Sequence, residues 1–329
     1  MTALDSAQLR VLIVGCGNIA GGFDVGHPKD ALPLTHAGAY VHHPGFHVVA
    51  CIEPDAGRRA SFMARWKVPS GYASFEELAK RPQQFDVISI CSPTAVHDQH
   101  LQQAVSMRPR AIFCEKPVTP YASVTARWVQ ACANENVLLA INHTRRWAPD
   151  VVRLQHDLSE GNWGVVRSVA GHYNKGLLNN GGHLVDLLLY LLGPLSVGWT
   201  GPAVFDFWPD DPSVAAILLT QHGMPIHLST GDARDFAFFE LEITCSAGVI
   251  AMENGGLNWR YRRVVEDPNF KGYKRLGADQ SVAGDYRQAM LAAVSNLHDA
   301  IHHGAALAST GHSALQAQIL CEQIRHLAT

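Results

Sequence analysis

The sequence predicts an α/β protein, with a doubly wound parallel sheet over residues 1–144 and an α+β unit with a mostly antiparallel sheet over 145–329. Three observations carry this. At 329 residues the chain exceeds one typical core, so two domains are expected. Up to about residue 145, short apolar runs alternate with helical stretches, the pattern of parallel strands joined by crossover helices. Beyond it, longer segments alternate polar and apolar residues, as strands with one solvated face do.

In chain order, the first strands are expected at 11–15, 47–52, 87–91, 111–115 and 137–142, with helices at 75–80, 95–106 and 123–134. The later strands fall at 165–172, 214–220, 225–229, 238–244 and 249–253. Two helices follow. The first carries Met290, Val294, Leu297 and Ile301 at a spacing that makes one buried stripe, and the second spans 313–327. Consecutive apolar residues over 214–219 and 237–239 cannot all point into one core, so a second copy of the chain is expected to cover part of the sheet.

Charge narrows the partners. With 26 basic and 29 acidic residues the net charge is -3, which leaves no footprint for nucleic acid or an anionic membrane. The apolar run 184–192 is broken by Asp186, and residues 1–10 lack the basic and apolar regions of a leader. Seven cysteines without a C-x-x-C pair read as reduced thiols in the cytoplasm. Eighteen histidines show no H-E-x-x-H, and His42-His43 and His302-His303 are adjacent, so no metal is expected.

The opening strand runs into Gly15-Cys16-Gly17-Asn18-Ile19-Ala20, a G-x-G-x-x-A turn. Here the first glycine makes the tight turn, the second lets backbone approach a pyrophosphate, and the following helix N-terminus receives the charge. After the first strand of a βαβ pattern this indicates a Rossmann-type dinucleotide site. Glu53 ends the second strand, where a carboxylate accepts the adenosine ribose hydroxyls and favours NAD, although Arg58 and Arg59 leave NADP open. Glu53 lies 36 residues beyond Gly17, against a usual ~20, and 23–33 is read as the insertion responsible.

Further on, Cys91-Ser92-Pro93-Thr94 with His97, and Glu115-Lys116-Pro117, end two more strands. Together with the glycine turn these residues resemble the Gfo/Idh/MocA family of sugar and inositol oxidoreductases. The resemblance implies cofactor contacts from Ser92, Pro93, Thr94, His97, Glu115, Lys116 and Pro117, and a cis bond before the proline. Asn179-Asn180-Gly181-Gly182-His183-Leu184-Val185-Asp186 is similar to the family's D-x-G-x-H-x-x-D segment, with asparagine at the position of the first aspartate. His183 then inherits the catalytic histidine's place, and the resemblance also implies a homodimer or homotetramer. Asn142, Arg145 and Arg146 resemble its arginine-bearing hinge, and Tyr173-Asn174-Lys175-Gly176 is similar to a subgroup associated with nucleotide sugars.

Oxidising a secondary alcohol needs a hydride acceptor and a base at the hydroxyl proton. The expectation is therefore an NAD-dependent oxidoreductase acting on a sugar, polyol or nucleotide-linked sugar. His183 is the general acid/base, Lys116 its electrostatic and proton-sharing partner, and Asp186, three residues on, orients the imidazole or serves as a first-turn acid. Asn142, Arg146, Tyr173, Lys175 and His183 are the substrate contacts. Asn179 cannot carry a proton, which keeps open a second reading, a weakly active or inactive NAD(P)-binding regulatory protein of the same fold.

Overall fold

The structure is a computed structural model that describes residues 8–28 and 30–328. Residues 1–7, part of the stretch read for a leader, lie outside the described residues. The chain divides into two compact units, 1–147 with 287–315 and 148–286 with 316–329. The boundary expected at 144 thus falls at 147, and the apolar-striped helix returns to the first unit instead of closing the second.

The first unit holds β1 (Leu9–Val14), α1 (His36–His42), β2 (Phe46–Ile52), α2 (Ala56–Trp66), β3 (Ser70–Tyr72), α3 (Phe75–Ala79), β4 (Val87–Ile90), α4 (His97–Ser106), β5 (Ala111–Cys114), α5 (Ala122–Asn134) and β6 (Leu138–Ile141). Its six strands run parallel in the order β3-β2-β1-β4-β5-β6, the doubly wound arrangement. Burial on both faces explains the continuous apolar runs. Leu9, Val11 and Ile13 of β1 join one core cluster with Met290, Val294 and Leu297, while Leu12 and Val14 join the other with Ile88, Leu101 and Ile112.

The second unit begins with α6 (Pro149–Ser159), β7 (Val166–Tyr173) and α7 (Gly182–Leu192), and continues through β8 (Leu195–Val204), β9 (Ser213–Thr220), β10 (Pro225–Thr230), β11 (Phe239–Cys245), β12 (Gly248–Glu253), β13 (Asn258–Glu266), β14 (Lys274–Leu276) and β15 (Gln280–Ala283). The order is β14-β13-β12-β11-β7-β10-β9-β8 with β15 on β13, antiparallel except where β10 meets β7. Helix α8 (Ala289–His303) belongs to the first unit, and α9 (Gly311–Leu327) carries the chain from the first into the second. Among the described residues no helix is long and apolar enough to cross a membrane.

Strand β8 escapes sequence reading for a physical reason. Gly198, Gly201 and Pro202 interrupt its pattern, and it tolerates them because it lies at the sheet edge, with register shifts between Val197 and Trp199 and between Thr200 and Ala203. Over 214–219 the apolar run splits in two: Val214, Ala216 and Leu218 are buried, whereas Ala215, Ile217 and Leu219 are half-buried on the other face.

The insertion after the glycine turn interrupts a helix. The carbonyls of Ile19 and Ala20 accept not from the next turn but from His36 N–H at 3.2 Å and Ala37 N–H at 2.9 Å, so α1 resumes where the turn stopped. Thr35 caps it by accepting from Gly38 N–H at 3.1 Å. The buried Asp24 carboxylate braces the loop, accepting from Leu34 N–H at 2.9 Å and the Thr35 hydroxyl at 2.5 Å.

Histidines distant in sequence meet in the first unit. His43 and His302 flank His298, with ring centroids 5.0 and 4.5 Å from it. Burial and then His298 lower the His43 pKa against the opposing pull of Asp299; burial, His298 and Arg110 lower that of His302, which Asp86 opposes. A histidine depressed in the folded state binds its proton more readily unfolded, so its contribution is present above the unfolded value of about 6.5 and lost as pH falls through the folded value. The melting temperature should therefore drop between pH 7.5 and 5.5, and the double variant His43→Gln, His302→Gln should flatten that slope. Equal slopes in a calorimetric series would contradict this account.

Candidate active site

The glycine turn is shaped by two different demands. Gly15 has φ +87°, and a Cβ there would lie 2.7 Å from the Ser92 backbone nitrogen, so only glycine lets the end of β1 cross the loop after β4. At Gly17 a Cβ would meet nothing within 4 Å, and the backbone opens on free space. Asn18 is exposed, Ile19 half-buried and Ala20 buried. No α-helix begins at the turn, which corrects the expectation of a helix N-terminus there. One wide turn follows, in which Gly17 O accepts from Gly21 and Gly22 N–H, each at 3.2 Å.

Glu53 is 3 % exposed and faces the turn, accepting from Cys16 N–H at 3.0 Å and Asp55 N–H at 3.1 Å. Arg58 approaches it at 3.4 Å and Arg59 donates to its carbonyl, so both guanidiniums are engaged by Glu53 itself. The open space at Gly17 and a carboxylate fixed beside the turn fit a nicotinamide dinucleotide, whose pyrophosphate Gly15–Gly17 could hold and whose ribose Glu53 could accept.

A second cluster lies at the end of β5. The Lys116–Pro117 bond is cis, as the resemblance implies. Burial would raise the Glu115 pKa, but His36, Asn142 and the Lys116 charge outweigh it and hold it below the ordinary value. His36 Nε2 lies 3.0 Å from Glu115 Oε1, and Asn142 Nδ2 donates to the same oxygen at 2.6 Å. His36 Nδ1 is 3.3 Å from Ser89 Oγ, itself 2.8 Å from the Tyr40 hydroxyl. Sequence reasoning missed His36. Its one signal is position, directly after the Thr35 cap of the helix that resumes beyond the insertion.

Several residues expected to contact ligands are engaged within the protein. His97 is fully buried; its Nε2 lies 2.8 Å from Ser92 O and its Nδ1 3.1 Å from the carbonyls of Pro117 and Val118, so it ties two loops together and cannot reach a cofactor. Ser92 Oγ pairs with His100 Nδ1 at 2.8 Å, whereas Pro93 is exposed and Thr94, Lys116 and Pro117 are half-buried. Asn142 Nδ2 donates to Glu115, and its oxygen accepts from the Thr144 hydroxyl, 3.1 Å away. Arg145 and Arg146 are buried, and Arg146 Nη1 donates to Ala308 O at 3.4 Å. Tyr173 is no substrate contact: it is fully buried, its hydroxyl donates to Val214 O at 2.7 Å and accepts Val214 N–H at 2.9 Å, and burial raises its pKa.

In the second unit, a π-type turn over Gly176–Gly181 leads into α7, and His183 stands half-buried in its first turn. Gly171 of β7 lets α7 approach, since a Cβ there would lie 2.9 Å from Leu184 Cδ2. Asp186, one turn further, is buried. Asn179 Nδ2 donates back to Lys175 O at 3.0 Å, and the Asp211 carboxylate accepts from Leu178 and Asn179 N–H, each at 2.8 Å. Lys175 is half-buried, in the left-handed region at φ 66°. Among the described residues no group of three or more histidine, cysteine, aspartate or glutamate side chains is arranged to hold a metal ion.

A parallel six-stranded sheet carrying this turn, this carboxylate and this E-K-P loop defines an NAD(P)-dependent oxidoreductase. Residues 9–143 match the profile described as "Oxidoreductase family, NAD-binding Rossmann fold". Over those residues the chain is similar to the Gfo/Idh/MocA family. It is 26% identical over 262 residues to inositol 2-dehydrogenase of Rhizobium meliloti (strain 1021), a match spanning 72% of this chain and 76% of that one. Against trans-1,2-dihydrobenzene-1,2-diol dehydrogenase of Sus scrofa it is 27% identical over 165 residues, 47% of this chain and 48% of the relative, so that match spans about half of each. In fold it is similar to the WlbA dehydrogenase of Bordetella pertussis, solved with NADH and UDP-GlcNAcA, at TM-score 0.80 and 15% identity over 99% of this chain and 96% of that one.

The two glycines should fail differently. Gly15→Val forces a side chain into backbone at positive φ and should cost stability on the order of several kcal/mol. Gly17→Val should keep the wild-type melting temperature but weaken NADH binding more than about tenfold, by filling the space a pyrophosphate needs. Fluorescence titration and thermal melts of both variants separate the two effects; unchanged NADH affinity in Gly17→Val would refute the site.

Proposed function

We propose that the protein uses NAD to oxidise a ring-borne secondary alcohol of a sugar or polyol, or reduces the corresponding ketone. The observation that carries this is the Glu115 carboxylate, buried against His36 and Asn142, which sets the backbone from which Lys116 projects. The names of two relatives support the substrate class, since inositol and a dihydrobenzene diol are both six-membered rings bearing neighbouring hydroxyls. Glu53 supports NAD over NADP: a carboxylate held at the turn repels a 2'-phosphate, and Arg58 is already paired with it.

The bound nicotinamide would supply the hydride acceptor or donor. His183 is assigned the proton, because an imidazole titrates near neutrality and this one stands half-buried at the start of α7. Lys116 is assigned the reacting oxygen, whose developing negative charge an ammonium stabilises. Asp186, buried one turn beyond His183, is assigned its orientation. Lys175, beside the π-type turn, is assigned a substrate hydroxyl.

Support for a cytoplasmic location comes from the cysteines, all seven of which are free and buried. A homo-oligomer is supported by the outer face of the sheet, where Trp199, 54% exposed, sits opposite the half-buried Ile217 across the β8–β9 pair. Light scattering should return a multiple of the 35.8 kDa chain mass, and a stable monomer at micromolar concentration would remove this element.

The catalytic assignment is tested by steady-state kinetics on a panel of cyclitols and glycosides with NAD and with NADP. Lys116→Ala and His183→Ala should each lower kcat about a hundredfold or more while NADH affinity stays within about twofold. A His183→Ala enzyme with most of its turnover would overturn the mechanism.

A further inference from the structure

Two loops of the second unit carry large apolar rings to solvent, and buried polar groups hold them there. Phe205 is 59% exposed, Phe207 54%, Trp208 44% and Phe236 63%. Free-standing loops would fold such rings inward; these are stapled. Asp206, 5% exposed, accepts from Lys175 N–H at 2.8 Å, the Ser213 hydroxyl at 2.9 Å and Ala233 N–H at 3.1 Å, fixing both loops to the residue before the π-type turn. Fully buried Asn174 donates to Phe236 O at 2.6 Å and accepts Phe238 N–H at 3.0 Å.

The rings keep company with the residues assigned to the substrate. Asn180, one turn ahead of His183, donates to Phe238 O at 3.3 Å. Phe238 is stacked on His172 at 5.1 Å and meets Phe236 edge-on at 5.7 Å. Lys175 Nζ stands 5.5 Å over Phe207, which meets Trp208 edge-on at 4.9 Å. Charge decides what these rings accept. Residues 205–212 and 231–238 contain Asp206, Asp210, Asp211, Asp232 and Asp235, against Arg234, which is paired with Asp232, and the Lys175 ammonium over Phe207, so the rim carries more acidic than basic groups. A diphosphate would meet repulsion, whereas an uncharged ring would lose nothing and gain stacking area.

We propose that this aromatic rim binds an uncharged planar ring carried by the substrate, so that the enzyme prefers a polyol or glycoside bearing an aromatic group over the same compound with a small substituent. This rests on the reading of His183 as the proton-exchanging residue, and binding is measured apart from turnover so that the two can fail separately.

Phenyl β-D-glucoside, methyl β-D-glucoside and UDP-glucose would be titrated into the full chain in the presence of NADH by calorimetry and ligand-observed NMR. The phenyl compound should bind about tenfold more tightly than the methyl one. The double variant Phe207→Ser, Phe236→Ser should lose that ratio at an unchanged melting temperature, while Phe270→Ser, an equally exposed ring far along the chain, should keep it. Equal affinities, no binding of the phenyl compound at millimolar concentration, tighter binding of UDP-glucose, or a fall in oligomer mass on substituting Phe207 and Phe236 would overturn the proposal. Absence of turnover with a retained phenyl preference would instead count against the catalytic reading and uphold the rim.

Discussion

The buried carboxylate of Glu115 is the constraint on which the first unit's chemistry depends. Taking a carboxylate out of water costs several kcal/mol unless partners replace the solvent. Here His36 comes from α1, Asn142 from the end of β6, and the Lys116 N–H from the chain itself, at 3.3 Å. None can move without exposing the others. Because α1 takes its first hydrogen bonds from Ile19 and Ala20, the helix that carries His36 is also fixed to the glycine turn. The place where pyrophosphate is expected and the backbone of Lys116 are thereby parts of one rigid arrangement.

Most of the first unit was legible because its signals are local. Strands buried on both faces read as unbroken apolar runs, and Gly15, Gly17 and the E-K-P loop occupy positions where few other residues fit. What stayed illegible depended on which way a side chain turns. His97 follows Ser92-Pro93-Thr94 and invites a ligand role, yet it points inward to three carbonyls. Asn142 was noticed for its region, but nothing local announced its bond to Glu115. His36 gave only a positional signal among eighteen histidines, since its partner lies 79 residues away and the insertion hides the helix that presents it.

The second unit was read less completely because its sheet is held by contacts distant in sequence. Alternation placed β7 and β9–β12 within one or two residues, but β8 is broken by glycine and proline, and β13–β15 are short, charged or exposed strands whose pairing no local pattern announces. The polar staples show the same limit. Asp206 and Asn174 look like ordinary loop residues until the backbone groups they satisfy, 27 to 64 residues off, are known.

Asparagine at position 179 illustrates how such contacts reverse a sequence argument. Where relatives are expected to carry a carboxylate, an amide suggests a lost proton relay and so a protein without turnover. The local structure supplies another cause. Asn179 Nδ2 donates to the Lys175 carbonyl, a bond an ionised carboxylate cannot make, and the Asp211 carboxylate already accepts the Asn179 backbone N–H at 2.8 Å. A carboxylate at 179 would also add a second negative charge to a turn that already holds Asp211, which like charges disfavour. The amide is what the π-type turn can hold once Asp211 caps it. The amide thus has a structural use within residues 175–181, apart from any proton exchange at His183 in the next helix.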